Sequence, residues 1–226
     1  MKKMAALTLS LILALTLAAC GGNSPAAPSD NNGGSQTGGI IQFAGIEWLV
    51  LDVRDGKTLI LSNEILTNRA YHPEVADITW AESDIRQYLN GEFYESTFSA
   101  DEKARIAETQ LSNKPNQWYG TEGGSDTTDK VFLLSIEEVV KYFGDSGQLA
   151  NRPDDEGLPA YFMHDEYSPA RIAVNQDTGE AASWWLRSPG GSSNRAVYVG
   201  KYGRIYITDD PFVNYADIGV RPVSVK

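Results

Sequence analysis

The chain has 226 residues, of which 42% are hydrophobic and 22% charged, the balance of a folded globular protein rather than a disordered or fibrous one. Its formal net charge of −11 excludes ordinary nucleic-acid binding, because neutralising phosphates takes a basic stripe that this chain lacks. One cysteine, Cys20, and two histidines, His72 and His164, exclude an intrachain disulfide, a CxxC redox pair and a multi-histidine metal site.

In chain order, Lys2 and Lys3 precede an apolar run from Ala5 to Ala19. This is the pattern of a removable leader over residues 1–19. The run ends at Leu17-Ala18-Ala19-Cys20, which resembles the lipobox of bacterial lipoproteins. That resemblance implies cleavage before Cys20, a lipid on Cys20, a membrane as partner through that lipid, and a place in the cell envelope. Residues 20–39 are rich in Gly, Ser, Asn and Pro and read as a flexible tether with an end-to-end distance of about 25 Å. One domain is expected over residues 40–226.

Within it, Ile46 to Val53 and Lys57 to Ser62 flank Asp55-Gly56, the strongest short signal for a hairpin. Thr79-Trp80-Ala81-Glu82 has the form of a capping box and predicts a helix over Trp80 to Asn90, stopped by Gly91. Ser99-Ala100-Asp101-Glu102 predicts a second helix to about Glu108, and Thr109 to Thr128 reads as a polar loop. Val131 to Leu134 reads as a buried strand. Ser135-Ile136-Glu137-Glu138 then caps a third helix that ends at Gly144. A loop-rich stretch to Glu180 leads to four short strands around Trp184 to Arg187, Ala196 to Val199, Arg204 to Ile207 and Gly219 to Val223. Strands, then capped helices, then a strand-rich end predict an α+β fold.

Several stretches carry a family resemblance. They are Ile78-Thr79-Trp80, Ile85-Arg86, Tyr88-Leu89-Asn90, Asp129 to Ser135, Trp184-Trp185-Leu186-Arg187-Ser188-Pro189-Gly190 and Gly219-Val220-Arg221-Pro222. In this order they resemble a bacterial family of unknown function. That family is similar to a branch of the C-type-lectin-like fold shared with formylglycine-generating (sulfatase-modifying) enzymes. The resemblance implies a single C-type-lectin-like domain with short helices and a strand-rich C-terminal half. The enzyme branch uses cysteines in the folded domain, and none occurs after Cys20. The EPN, QPD and WND triplets that hold calcium in sugar-binding lectins of this fold are also missing. Fold alone names no function.

Trp184 and Trp185 are candidates for a sugar-stacking platform, although alternation along a strand lets at most one face outward. Arg187 and Arg221 are expected to pair with a carboxylate, with Asp84 as a candidate. No cofactor is expected. Calcium is the one ion that the acidic loops at Asp126 with Asp129, at Asp154-Asp155-Glu156 and at Asp209-Asp210 would suit, and none of them has EF-hand spacing.

The segment 192–217 is the expected ligand-binding face, through Ser192, Ser193, Asn194, Arg195, Tyr198, Tyr202, Tyr206, Asp209, Asp210, Asn214 and Tyr215. Tyrosine with Ser and Asn is the composition of antibody paratopes, where rigid amphipathic rings sit among adaptable hydrogen-bonding groups. Its position between two fixed motifs resembles the variable proteins of diversity-generating retroelements. The expected function is therefore a non-catalytic, lipid-anchored surface module that recognises a protein or glycan. An envelope enzyme using Asp209, Asp210 or Asp165, and a structural envelope scaffold, stand as alternatives.

Overall fold

The computed structural model describes residues 36–207 and 211–226; Cys20, Asp209 and Asp210 lie outside the described residues. Strands β1 (Ile40–Phe43), β2 (Ile46–Arg54) and β3 (Lys57–Ser62) form an antiparallel meander. Arg54 pairs with Lys57, so Asp55 and Gly56 alone make the turn. Both have positive φ, 52° and 73°, as a type I′ turn requires, and Asp-Gly is the dipeptide that tolerates it. β4 (Thr67–Asn68) follows.

The first helix differs from the expectation. Trp80–Glu82 is a 3₁₀ turn, and α1 (Asp84–Tyr88) begins only after Ser83, whose Oγ accepts the Arg86 N–H at 3.3 Å. Thr79 makes no cap; its hydroxyl donates to Glu82 Oε2 at 3.3 Å. The cause is tertiary: Trp80 is buried and donates its indole N–H to Asp129 Oδ2 at 2.9 Å, which holds this turn apart from the helix. Gly91 does not stop the helix either. The chain continues through a π turn, Leu89–Phe93, into α2 (Tyr94–Thr97). Burial of Phe93, Tyr94 and Phe98 in one aromatic cluster outweighs the glycine.

The capping box at Ser99 forms as expected, but α3 (Ala100–Lys103) is a single turn. The chain leaves it because Ala107 N donates to Val225 O at 2.7 Å. The expected polar loop contains β5 (Thr109–Leu111) and β6 (Thr127–Asp129), which pair with each other. β7 (Val131–Phe132) is buried, and α4 (Ile136–Phe143) has its capping box at Ser135 and ends at Gly144.

Then come β8 (Asp154–Asp155), β9 (Leu158–Pro159), β10 (Phe162–Met163), β11 (Ala173–Val174) and β12 (Ala181–Ala182). The chain closes with β13 (Trp184–Pro189), β14 (Ala196–Val199), β15 (Ile205–Tyr206), β16 (Gly219–Val220) and β17 (Val223–Val225).

The fold is α+β, mostly sheet with a few short helices. One sheet has the order β1-β2-β3-β17-β7, so the last strand inserts beside the early hairpin. The other has the order β10-β15-β14-β13-β16-β4, with β13 and β16 parallel. No helix among the described residues is long and apolar enough to cross a membrane.

Both tryptophans of β13 are fully buried, so neither forms a stacking platform. The indole N–H of Trp184 donates to Arg171 O and that of Trp185 to Arg69 O. Each face of this central strand is covered, so alternation exposes neither ring.

Candidate functional site

Two antiparallel hairpins, β13–β14 and β14–β15, place the predicted face. Tyr198 and Tyr206 stand directly opposite each other, and their rings stack at 4.8 Å with a 7° interplanar angle. Phe162 of β10 continues the row at 5.6 Å from Tyr206, and Tyr161 meets Phe162 edge-on at 4.9 Å. On the inner side, Trp185 joins Tyr198 at 6.3 Å and Tyr71 joins Trp185 at 5.8 Å. The row thus runs from the core outward. Tyr202, 65% exposed, closes with Ser183, Lys201 and the stacked pair around a depression of about 200 Å³.

The rest of the predicted face lies at the opposite end of β14. Ser193 O accepts the Ile78 N–H at 2.9 Å, and the Ser193 hydroxyl donates to Asp77 at 2.6 Å. Ser192 Oγ donates to Asn194 Oδ1 at 2.9 Å. The Arg195 guanidinium lies 3.2 Å from the centroid of the Phe212 ring. Asn194 O accepts the Val213 N–H, which brings the exposed Asn214 and Tyr215 toward this turn. The structure therefore gathers Tyr198, Tyr202 and Tyr206 in one patch and Ser192, Ser193, Asn194, Arg195, Asn214 and Tyr215 in another. The length of β14, on the order of 10 Å, separates them.

The arginines are placed differently from expectation. Arg187 pairs with Glu138 rather than Asp84: Nη1 and Nη2 donate to its two carboxylate oxygens, and Nη1 also donates to Leu133 O at 2.8 Å. Asp84 pairs with His72. Arg221 has no carboxylate partner among the described residues. It donates to Ser62 O and Asn63 O and lies over the Trp184 ring at 5.1 Å. Burial pulls its guanidinium down to a pKa of about 9. Asp165, a candidate for catalysis, is engaged by Arg171, Ser146 and Tyr167 N. Asp129 is engaged by Trp80, Arg86 and Thr127. Among the described residues no group of three or more acidic, His or Cys side chains is placed to hold a metal.

Sequence reasoning missed a cleft of about 580 Å³ between the β2–β3 hairpin, β5 and the start of α4. Leu59, Leu111, Phe132 and Val225 supply its apolar surface, and Lys57, Lys114, Glu137 and Arg187 are among its charged groups. These residues come from five separate stretches, so no local motif could announce them.

A sequence-family model matches residues 55–224 and describes a domain of unknown function, DUF6273. The chain belongs to the DUF6273 family. The DUF6273 domain spans the tip of the first hairpin to the last strand and so contains both the tyrosine patch and the cleft. No curated protein and no solved structure matches this chain.

Proposed function

We propose that this DUF6273 protein is a lipid-anchored module of the cell envelope that recognises a protein or glycan without catalysis, on a C-type-lectin-like domain. The leader, Cys20 at its end and the tether support the anchor. The mixture of short helices with a strand-rich C-terminal half is what that fold would have.

The observation that carries the reading is the aromatic row through Tyr198 and Tyr206, which with exposed Tyr202 lines a shallow depression. Stacked rings offer rigid contact area at low entropic cost. The second patch, at Ser192 to Arg195 and Asn214-Tyr215, lies far enough away that a ligand touching both is a protein or an oligosaccharide.

Arrays of glycans and envelope proteins, probed with the purified chain with and without calcium, test this. Binding that is lost in a folded Tyr202→Ala variant supports it; binding that Tyr202→Ala leaves unchanged sinks the face. Sequencing the gene across isolates tests diversification. Adenine-directed changes confined to the codons between Gly190 and Gly219 would mark a retroelement target, and an invariant segment would mean one fixed specificity.

A further inference from the structure

We propose that the cleft beside α4 is a second binding site, and that its ligand is a short peptide with an apolar side chain and free termini. This does not rest on the tyrosine patch, whose depression shares no lining residue with the cleft.

The cleft volume of about 580 Å³ is that of a small-molecule site. The crevice beside it, lined by Asn113, Lys114 and Arg187 among others, is too tight to admit a water molecule, so the ligand is confined to the cleft itself.

The lining of the cleft fits a peptide. The walls formed by Leu59, Leu111, Phe132 and Val225 suit an apolar side chain. Of the charges around the cleft, Glu138 is neutralised by Arg187, and Asp52 is met by Arg54 at 3.6 Å and Lys141 at 3.9 Å. Lys57, Lys114, Asp55 and Glu137 form no ion pair among the described residues. Gln117 Nε2 reaches Glu137 only at 3.5 Å. Two cations and two anions remain, which suits a carboxylate at one end and an ammonium at the other better than a ligand of a single charge. β5 also lines the cleft through all three of its residues and pairs only with β6 among the described residues. Its other edge is the kind of backbone to which an extended peptide adds.

The purified full chain would be incubated with an equimolar library of free tripeptides, and the retained members read by mass spectrometry. Retention should favour apolar central residues and fall at least tenfold for the same peptides with blocked termini. It should fall at least tenfold in the combined variant Lys114→Gln and Glu137→Gln, whose rim changes spare the core. An exposed change remote from the cleft, Glu180→Gln, should leave it unaltered. Retention of no tripeptide at millimolar concentration, or equal retention by the rim variant, would overturn the proposal. So would equal retention of blocked peptides.

Discussion

Arg171 grips Asp165 with both terminal nitrogens, at 2.9 and 3.0 Å, and neither side chain has any solvent contact. Arg171 Nη2 also donates to Gly144 O at 2.9 Å. One buried pair thereby ties the end of α4 to the loop before β11. Burial pushes the Asp165 carboxyl upward, but the Arg171 and Ser146 hydrogen bonds and the Tyr167 N–H outweigh it and hold the group below its ordinary value of 3.8. A carboxyl whose folded pKa is lowered adds stability above its unfolded value, and loses it as pH falls through the folded value. Urea unfolding should therefore show this contribution intact at pH 7 and 5 and shrinking below about pH 4. Asp165→Asn should cost about 3–5 kcal/mol at neutral pH, since it leaves Arg171 buried with no counter-charge, and should flatten the acid limb. An unchanged acid limb would mean that other carboxyls dominate it.

The Arg187–Glu138 pair joins β13 to the first turn of α4, where Glu138 Oε2 also accepts the Ser135 N–H at 2.9 Å. Glu138→Ala removes the cap and strands a buried guanidinium together. A loss of about 3–5 kcal/mol is expected from the unpaired charge. Glu137→Ala, one residue away and outside the cap, should cost less than about 0.5 kcal/mol. Equal losses for the two would show that the pair contributes little.

Gly203 has φ +77°, and a Cβ there would lie 1.7 Å from Ser168 O. Gly203→Ala should cost well over 1 kcal/mol, roughly the upper end for strain alone, and lower Tm by more than about 2 °C. Gly56 is the contrast: its φ is +73°, and a Cβ there meets nothing within 4 Å. Because asparagine adopts positive φ in such turns, Gly56→Asn should cost less than about 1 kcal/mol. Thermal melts of the two variants check both expectations.

Tyr202 and Tyr206 should part company in stability. Tyr202 is mostly exposed, so Tyr202→Ala should shift stability by less than about 0.5 kcal/mol. Tyr206 stacks on Tyr198 and packs at a tilt against Phe162, so Tyr206→Ala should cost about 2 kcal/mol through lost burial and ring contact. If Tyr202→Ala unfolds the domain, the ring is structural and the proposed face is wrong.

The elements legible in the sequence are those whose cause lies within a few residues. Asp55-Gly56 specifies its turn because two adjacent positive φ values suit few other pairs. Ser99 and Ser135 cap helices because hydroxyl, backbone N–H and the third-residue glutamate come together within one turn. Val131 to Leu134 reads as buried because four consecutive apolar side chains leave no solvent face. The tyrosines of β14 and β15 were visible as residues; their stacking follows from cross-strand register.

Tertiary structure decided what depends on partners far along the chain. Burial of Trp80 against Asp129 moved a helix start from Thr79 to Ser83, and the Phe93–Tyr94–Phe98 cluster carried the chain past Gly91. β5 found β6 across residues 112–126, where neither strand has enough alternation to declare itself. Arg187 met Glu138 from 49 residues away, and the cleft arose between five stretches, none of which carries a motif. The physical reason is the same in each case. Local propensities are worth tenths of a kcal/mol to about 1 kcal/mol per residue, whereas burying a large aromatic side chain or satisfying a buried charge is worth several times that. Where the two compete, packing wins, and packing is set by the whole chain.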